Sequence, residues 1–183
     1  MAATVIINRW TGAGPTKTPI TGINTRANAE DAHSTAGTTN SILIPAAPYS
    51  YSYWVNTRLE ITAITLGTVD NIKWYTDSTA NFGTGVGCIG NTASVYGQAG
   101  GTPGQSGTVL TVANYATAGG TLSAEPVDVF DFDIGSPKSI SGSSSSTGDV
   151  GNFFVYQITV DDTAASGATA QETFTWKYDD TSS

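Results

Sequence analysis

Charge is scarce in this chain, and cations are scarcest. Only 12% of the 183 residues are charged, with seven Lys and Arg against fifteen Asp and Glu, a formal charge of −8. Nucleic-acid binding needs cations to release counterions from phosphate, so no nucleic-acid partner is expected. Cysteine is nearly absent: Cys88 stands alone, which excludes an internal disulfide framework and reads as a small buried hydrophobe. A single histidine, His33, lies far in sequence from Cys88, so a nucleophile and base pair has no local support. No apolar run approaches the length that spans a bilayer, and Met1 to Trp10 lack the basic start and long apolar stretch of a leader. Synthesis in a cytoplasm, with no membrane partner, is the expectation.

Strong helix formers are also few, whereas Ser, Thr, Gly and Ala abound and aromatics make up 10%. This mixture argues against disorder and against a helical bundle. At 18.8 kDa the chain has the size of one domain, with a folded surface of roughly 8,300 Å² by size scaling.

Periodicity points to strands. Val55, Thr57, Leu59, Ile61 and Ala63 alternate with Asn56, Arg58, Glu60 and Thr62, the pattern of a half-buried antiparallel strand. Ile72 and Trp74 share a face in 69–75. In 152–160, Phe153, Val155, Gln157 and Thr159 alternate with Phe154, Tyr156, Ile158 and Val160, and Glu172 to Tyr178 forms another strand. Further strands are expected at 108–112, 126–134 and 139–141, with 81–107 a glycine-rich loop or set of short strands. The fold class is therefore all-β: an antiparallel β-sandwich, immunoglobulin-like or jelly-roll, over residues 41–183. Residues 1–40, rich in Gly, Pro, Thr and Asn, read as an extended N-terminal arm, with a short helix near 26–36. Within the arm, Thr4, Val5, Ile6, Ile7 and Asn8 would add a strand to a neighbour or to a capsid surface.

Several constellations invite chemistry. Gly85, Gly87 and Gly90 spell G-x-G-x-x-G, but β-branched residues and more glycine follow where a phosphate-binding helix should begin, so no dinucleotide or other cofactor is expected. Asp128, Asp131 and Asp133 form the densest carboxylate group. They read as the solvent face of a strand, with Asp131 and Asp133 as a weak Ca²⁺ candidate and no metal site otherwise. Tyr49, Tyr51, Tyr53 and Trp54 form a stripe that either stacks on glycan rings or fastens the sheet. No residue qualifies as catalytic.

Three blocks carry a family resemblance: Ile44-Pro45 followed by Tyr51-Ser52-Tyr53-Trp54; Asn71-Ile72-Lys73-Trp74-Tyr75-Thr76-Asp77 leading to Phe82-Gly83-Thr84-Gly85; and Thr173-Phe174-Thr175-Trp176-Lys177-Tyr178-Asp179. Over residues 41–180 the chain resembles small virion structural proteins of tailed bacteriophages, of the capsid auxiliary or decoration type with an immunoglobulin-like sandwich. The resemblance implies a non-enzymatic protein on the virion's capsid surface that binds and stabilises the outer lattice. Its expected partners are the major capsid protein and neighbouring copies of itself; a homotrimer is one of the assemblies left open, beside dimer and monomer. The alternative is a carbohydrate-binding or host-attachment module of a tail or head fibre, using the tyrosine stripe.

Overall fold

A computed structural model describes residues 2–181. In chain order the elements are β1 (Thr4–Thr11), β2 (Thr16–Pro19), β3 (Tyr49–Tyr51), β4 (Val55–Ala63), β5 (Thr68–Tyr75), β6 (Val86–Val95), β7 (Gly101–Thr102) and β8 (Ser106–Gly107). There follow the helix α1 (Val112–Thr117), β9 (Thr121–Leu122), β10 (Val127–Asp128), a 3-10 turn (Val129–Asp131), β11 (Lys138–Ser139), β12 (Gly148–Asp161) and β13 (Thr175–Thr181). The large sheet runs β10-β6-β12-β4-β1-β2, with β3 also on β12 and β9 on β6; the small sheet runs β11-β5-β13. Every ladder is antiparallel, and the two sheets pack as a sandwich-like fold.

The fourteen residues of β12 organise the molecule because both of its faces are apolar. Phe154, Tyr156, Ile158 and Val160 turn toward the small sheet, where Trp74 stacks on Phe154 at 3.7 Å between centroids and 13° between planes. Phe153 and Val155 turn the other way, into a second core beneath α1 and the loops around it, with Trp54, Leu110, Tyr115 and Leu122. The expected alternation in 152–160 is therefore present, but neither face meets water. The same second layer changes β4. Its "polar" face begins with Asn56, which is fully buried and bonded to Gly97 O (3.1 Å) and to the Tyr115 hydroxyl (2.7 Å). Gln157 fills the same role on β12: its Nε2 donates to Ser52 O (2.6 Å) and Thr108 O (2.8 Å), and its Oε1 accepts from Leu110 N (2.7 Å). Buried polar side chains are tolerated when every bond is made, and these tie the outer layer to the sheet.

The N-terminal segment is not an extended arm. β1 lies inside the large sheet between β4 and β2, with Val5, Ile6, Ile7 and Asn8 opposite Ile61, Glu60, Leu59 and Arg58. Residues 24–44 then pack as an irregular loop, not a helix over 26–36. Local bonds hold it: Glu30 accepts from Asn28 Nδ2 (2.7 Å) and Asn40 Nδ2 (2.6 Å), and Tyr53 N donates to Asn28 O (2.8 Å). The apolar content was too low to fold alone, so the segment borrows the sheet's burial. The accessible surface, 8631 Å², is close to the scaling expectation, which leaves no room for a long projecting arm.

Three other segments depart from expectation. The glycine-rich stretch contains β6, the longest partner of β12. Gly90 permits it: a Cβ there would sit 2.7 Å from Val155 O, so only glycine allows the close approach. Segment 108–112 does not pair; it leads to α1, where the Thr111 Oγ1 caps by accepting from Asn114 N (3.1 Å). Segment 126–134 is a two-residue bridge and a 3-10 turn, because Asp128 Oδ1 accepts from Phe130 N (3.0 Å) and starts the turn.

Candidate functional site

The large sheet has more strands than the small one covers, and the uncovered part forms a cleft of about 1100 Å³. Its floor is the inner face of the large sheet: Ile7, Thr57, Tyr156, Ile158 and Val160. One wall is the small sheet's margin, Phe174 and Trp176; the other is the 22–44 loop, with Ile42, Leu43 and Ile44; residues 164–170, mostly small, close one side. Each wall follows from local sequence. Trp176 stands directly opposite Trp74 across the ladder and so shares its inward face, while Phe174 meets the Tyr156 ring edge-on at 4.9 Å. Ile23 and Leu43, each about half exposed (50% and 51%), and Ile44 form an apolar rim.

Arg9 sets the position of the far wall. It is the cross-strand neighbour of Thr57 and is buried, and its Nη1 donates to Arg26 O (2.7 Å) and Thr25 Oγ1 (3.3 Å). Burial lowers its pKa, against the raising influence of the Tyr156 phenol and the Asp31 and Glu30 carboxylates. Thr25 Oγ1 in turn lies 3.3 Å from His33 Nδ1. Burial first, and the Arg9 charge second, lower the His33 pKa. Burial pushes the Tyr156 phenol up, and the residue lines the cleft floor. The cleft is thus a largely apolar trough with a few neutral polar groups, one cation, Arg26, and one carboxylate, Glu172, on its lining. Such a surface binds by burial and shape.

The residues singled out from sequence lie elsewhere. Thr4 to Asn8 are used inside the sheet, and the Asn8 Nδ2 donates to Glu60 Oε2 (2.6 Å), so this strand is not free for a neighbour. The aromatic stripe splits: Tyr53 (5% exposed) and Trp54 (2%) belong to the second core, where Trp54 Nε1 donates to Thr108 O (2.9 Å). Only Tyr49 and part of Tyr51 reach the surface, with rings 6.4 Å apart and tilted by 43°. Four coplanar stacking rings do not exist, because β3 ends at Tyr51 and the chain then dives under the 108–110 loop. Asp131 is exposed at the end of the 3-10 turn, and Asp133 Oδ1 accepts from Gly135 N and Ser136 N, both at 2.7 Å. Among the described residues these carboxylates do not gather with further ligands as a metal would need. The Gly85-Gly87-Gly90 spelling is a turn followed by a strand.

Sequence reading missed the cleft itself. Its one available signal was Ile42-Leu43-Ile44, an apolar run stopped by Pro45 and too short to pair. No family model, no curated protein and no solved structure matches the chain.

Proposed function

We propose that this chain is a non-enzymatic structural protein of a virion, a decoration protein that binds the outer capsid lattice of a tailed bacteriophage and stabilises it. The observation that carries the reading is the apolar, open-mouthed cleft with the exposed Ile23, Leu43 and Ile44 at its rim. Apolar patches that persist on a folded monomer mark contact surfaces. The low charge density and the doubly covered β12 suit a durable scaffold that repeats one contact many times. The sequence blocks around Trp54, Trp74 and Trp176 add the resemblance to virion proteins, and the partner is then the major capsid protein.

Binding that favours the assembled shell stabilises it by mass action, about 2.7 kcal/mol per site at a concentration of 100 times Kd. The test is add-back. Capsids assembled without this chain are mixed with the purified protein, and copies bound and shell melting are measured. Saturable occupancy in a fixed ratio to capsid subunits, with a raised melting temperature, is expected; no occupancy at micromolar concentration refutes the reading.

A further inference from the structure

The outer face of the small sheet carries its charges in like pairs. On β5 the buried Val69, Ile72 and Trp74 turn inward, which leaves Asp70 and Lys73 on the outer face; on β13 the exposed Lys177 and Asp179 lie there too. Across the ladder Lys177 stands opposite Lys73, and Asp179 opposite Asp70. Asp70 and Lys73 are three residues apart and would take opposite faces in a regular strand. The register shifts between Lys177 and Asp179, beside Asn71 with its φ of 45°, and this bulge brings Asp70 round to the face of Lys73.

Like charges directly opposite each other weaken a ladder, and the same four charges in alternate order would strengthen it. The fold itself offers them no relief: among the described residues none of the four enters an ion pair. Lys73 Nζ donates to Ser139 Oγ (2.8 Å) and Asp179 Oδ2 accepts from Asn71 Nδ2 (2.7 Å), both neutral partners. A cation row thus lies about 7 Å from an anion row on one flat face. Such a face is its own complement. A half-turn about an axis that crosses the strands between the rows, in the plane of contact, sets each cation row on the other copy's anion row, as an isologous interface requires. A partner surface of one sign gains at one row and is repelled at the other. With two charges of each sign the face is locally neutral, so a second copy meets no net like charge here, although the chain carries −8 overall.

We propose that the outer faces of two small sheets meet in a weak two-fold homodimer, with Lys73 and Lys177 of one copy against Asp70 and Asp179 of the other. The seven residues of β13 and the three strands of the sheet give a contact of about 23 Å by 14 Å, roughly 300 Å² per copy, well below the area of a permanent dimer. The contact is therefore transient in dilute solution and is strengthened wherever copies are held side by side. It does not rest on the decoration reading.

The test is a charge swap in the full chain. Asp179→Lys faces Asp70 and Lys177→Asp faces Lys73 across the ladder, so each exposed change replaces a like pair with an opposite pair and the fold is kept. In sedimentation equilibrium at up to about 1 mM the wild-type chain dimerises, and each variant alone self-associates at least about tenfold more weakly, because like charges then meet twice across the axis. An equimolar mixture of the two variants recovers to within about threefold of wild type, since every contact again joins opposite charges. A wild-type chain that stays monomeric, a variant that associates as tightly as wild type, or a mixture that does not recover overturns the proposal. Dimerisation without capsid occupancy removes only the decoration reading, and occupancy by a chain that is monomeric on its own removes only this one.

Discussion

Replacing Gln157 by Leu tests whether buried hydrogen bonds, and not only apolar packing, fasten the outer layer to the large sheet. The side chain is completely buried and makes three bonds, to Ser52 O, Thr108 O and Leu110 N. Leucine is similar in size, so the cavity is small, and Thr108 O keeps the Trp54 Nε1 donor. Ser52 O and Leu110 N lose the partner Gln157 supplied, at about 1–3 kcal/mol for each group left unsatisfied. Apolar burial of the new side chain offsets part of this, leaving a net loss of about 3 kcal/mol, a large share of the 5–15 kcal/mol typical of a domain. In urea the midpoint should fall by about 1–2 M with an unchanged slope, and exchange at the Leu110 amide should rise. A loss below about 1 kcal/mol, with Leu110 still protected, refutes the reasoning.

Other expectations follow from the same contacts. Trp74→Ala removes the ring stacked on Phe154 and should cost about 3–5 kcal/mol with loss of near-ultraviolet ellipticity; a cost under about 1 kcal/mol contradicts the central place given to that stack. The Cys88 thiol is pushed well above its ordinary value by burial first and the Asp128 charge second, so an aromatic disulfide reagent should react only as the protein unfolds; labelling within the mixing time contradicts its burial. The native state depresses the His33 pKa below 6.5, so its contribution is complete above that pH and is lost as pH falls through the lowered value. His33→Gln should flatten the stability profile on the acid side of about pH 6.5, and an unchanged slope there excludes His33 as its source.

Strand character was legible wherever alternation was strong, as in β4, β5 and β12, and in β13 although that strand runs Thr175–Thr181 and not 172–178, because a two-residue period and its apolar face are local properties. What the second face meets is not local. Asn56 and Gln157 occupy polar positions that suit solvent equally well, and only the layer around Tyr115 buries them. β6 was hidden because Gly90 is chosen for close approach to Val155 O, while glycine by itself signals a loop. β1 carried a visible apolar stretch, but its partner lies some fifty residues away, so an internal strand and a projecting arm looked alike. The tyrosine stripe was ambiguous for the same reason: burial of Tyr53 and Trp54 depends on the 108–110 loop. The cleft escaped notice because it arises from unequal strand numbers in two sheets, which no single segment encodes.

The most direct test of the decoration reading is a density map of the intact capsid carrying this chain. The sandwich is expected on the outer surface at lattice-related positions, with the cleft turned toward the capsid subunit. Its absence from the lattice, or a bound orientation that leaves Leu43, Ile44 and Trp176 facing solvent, would contradict that reading.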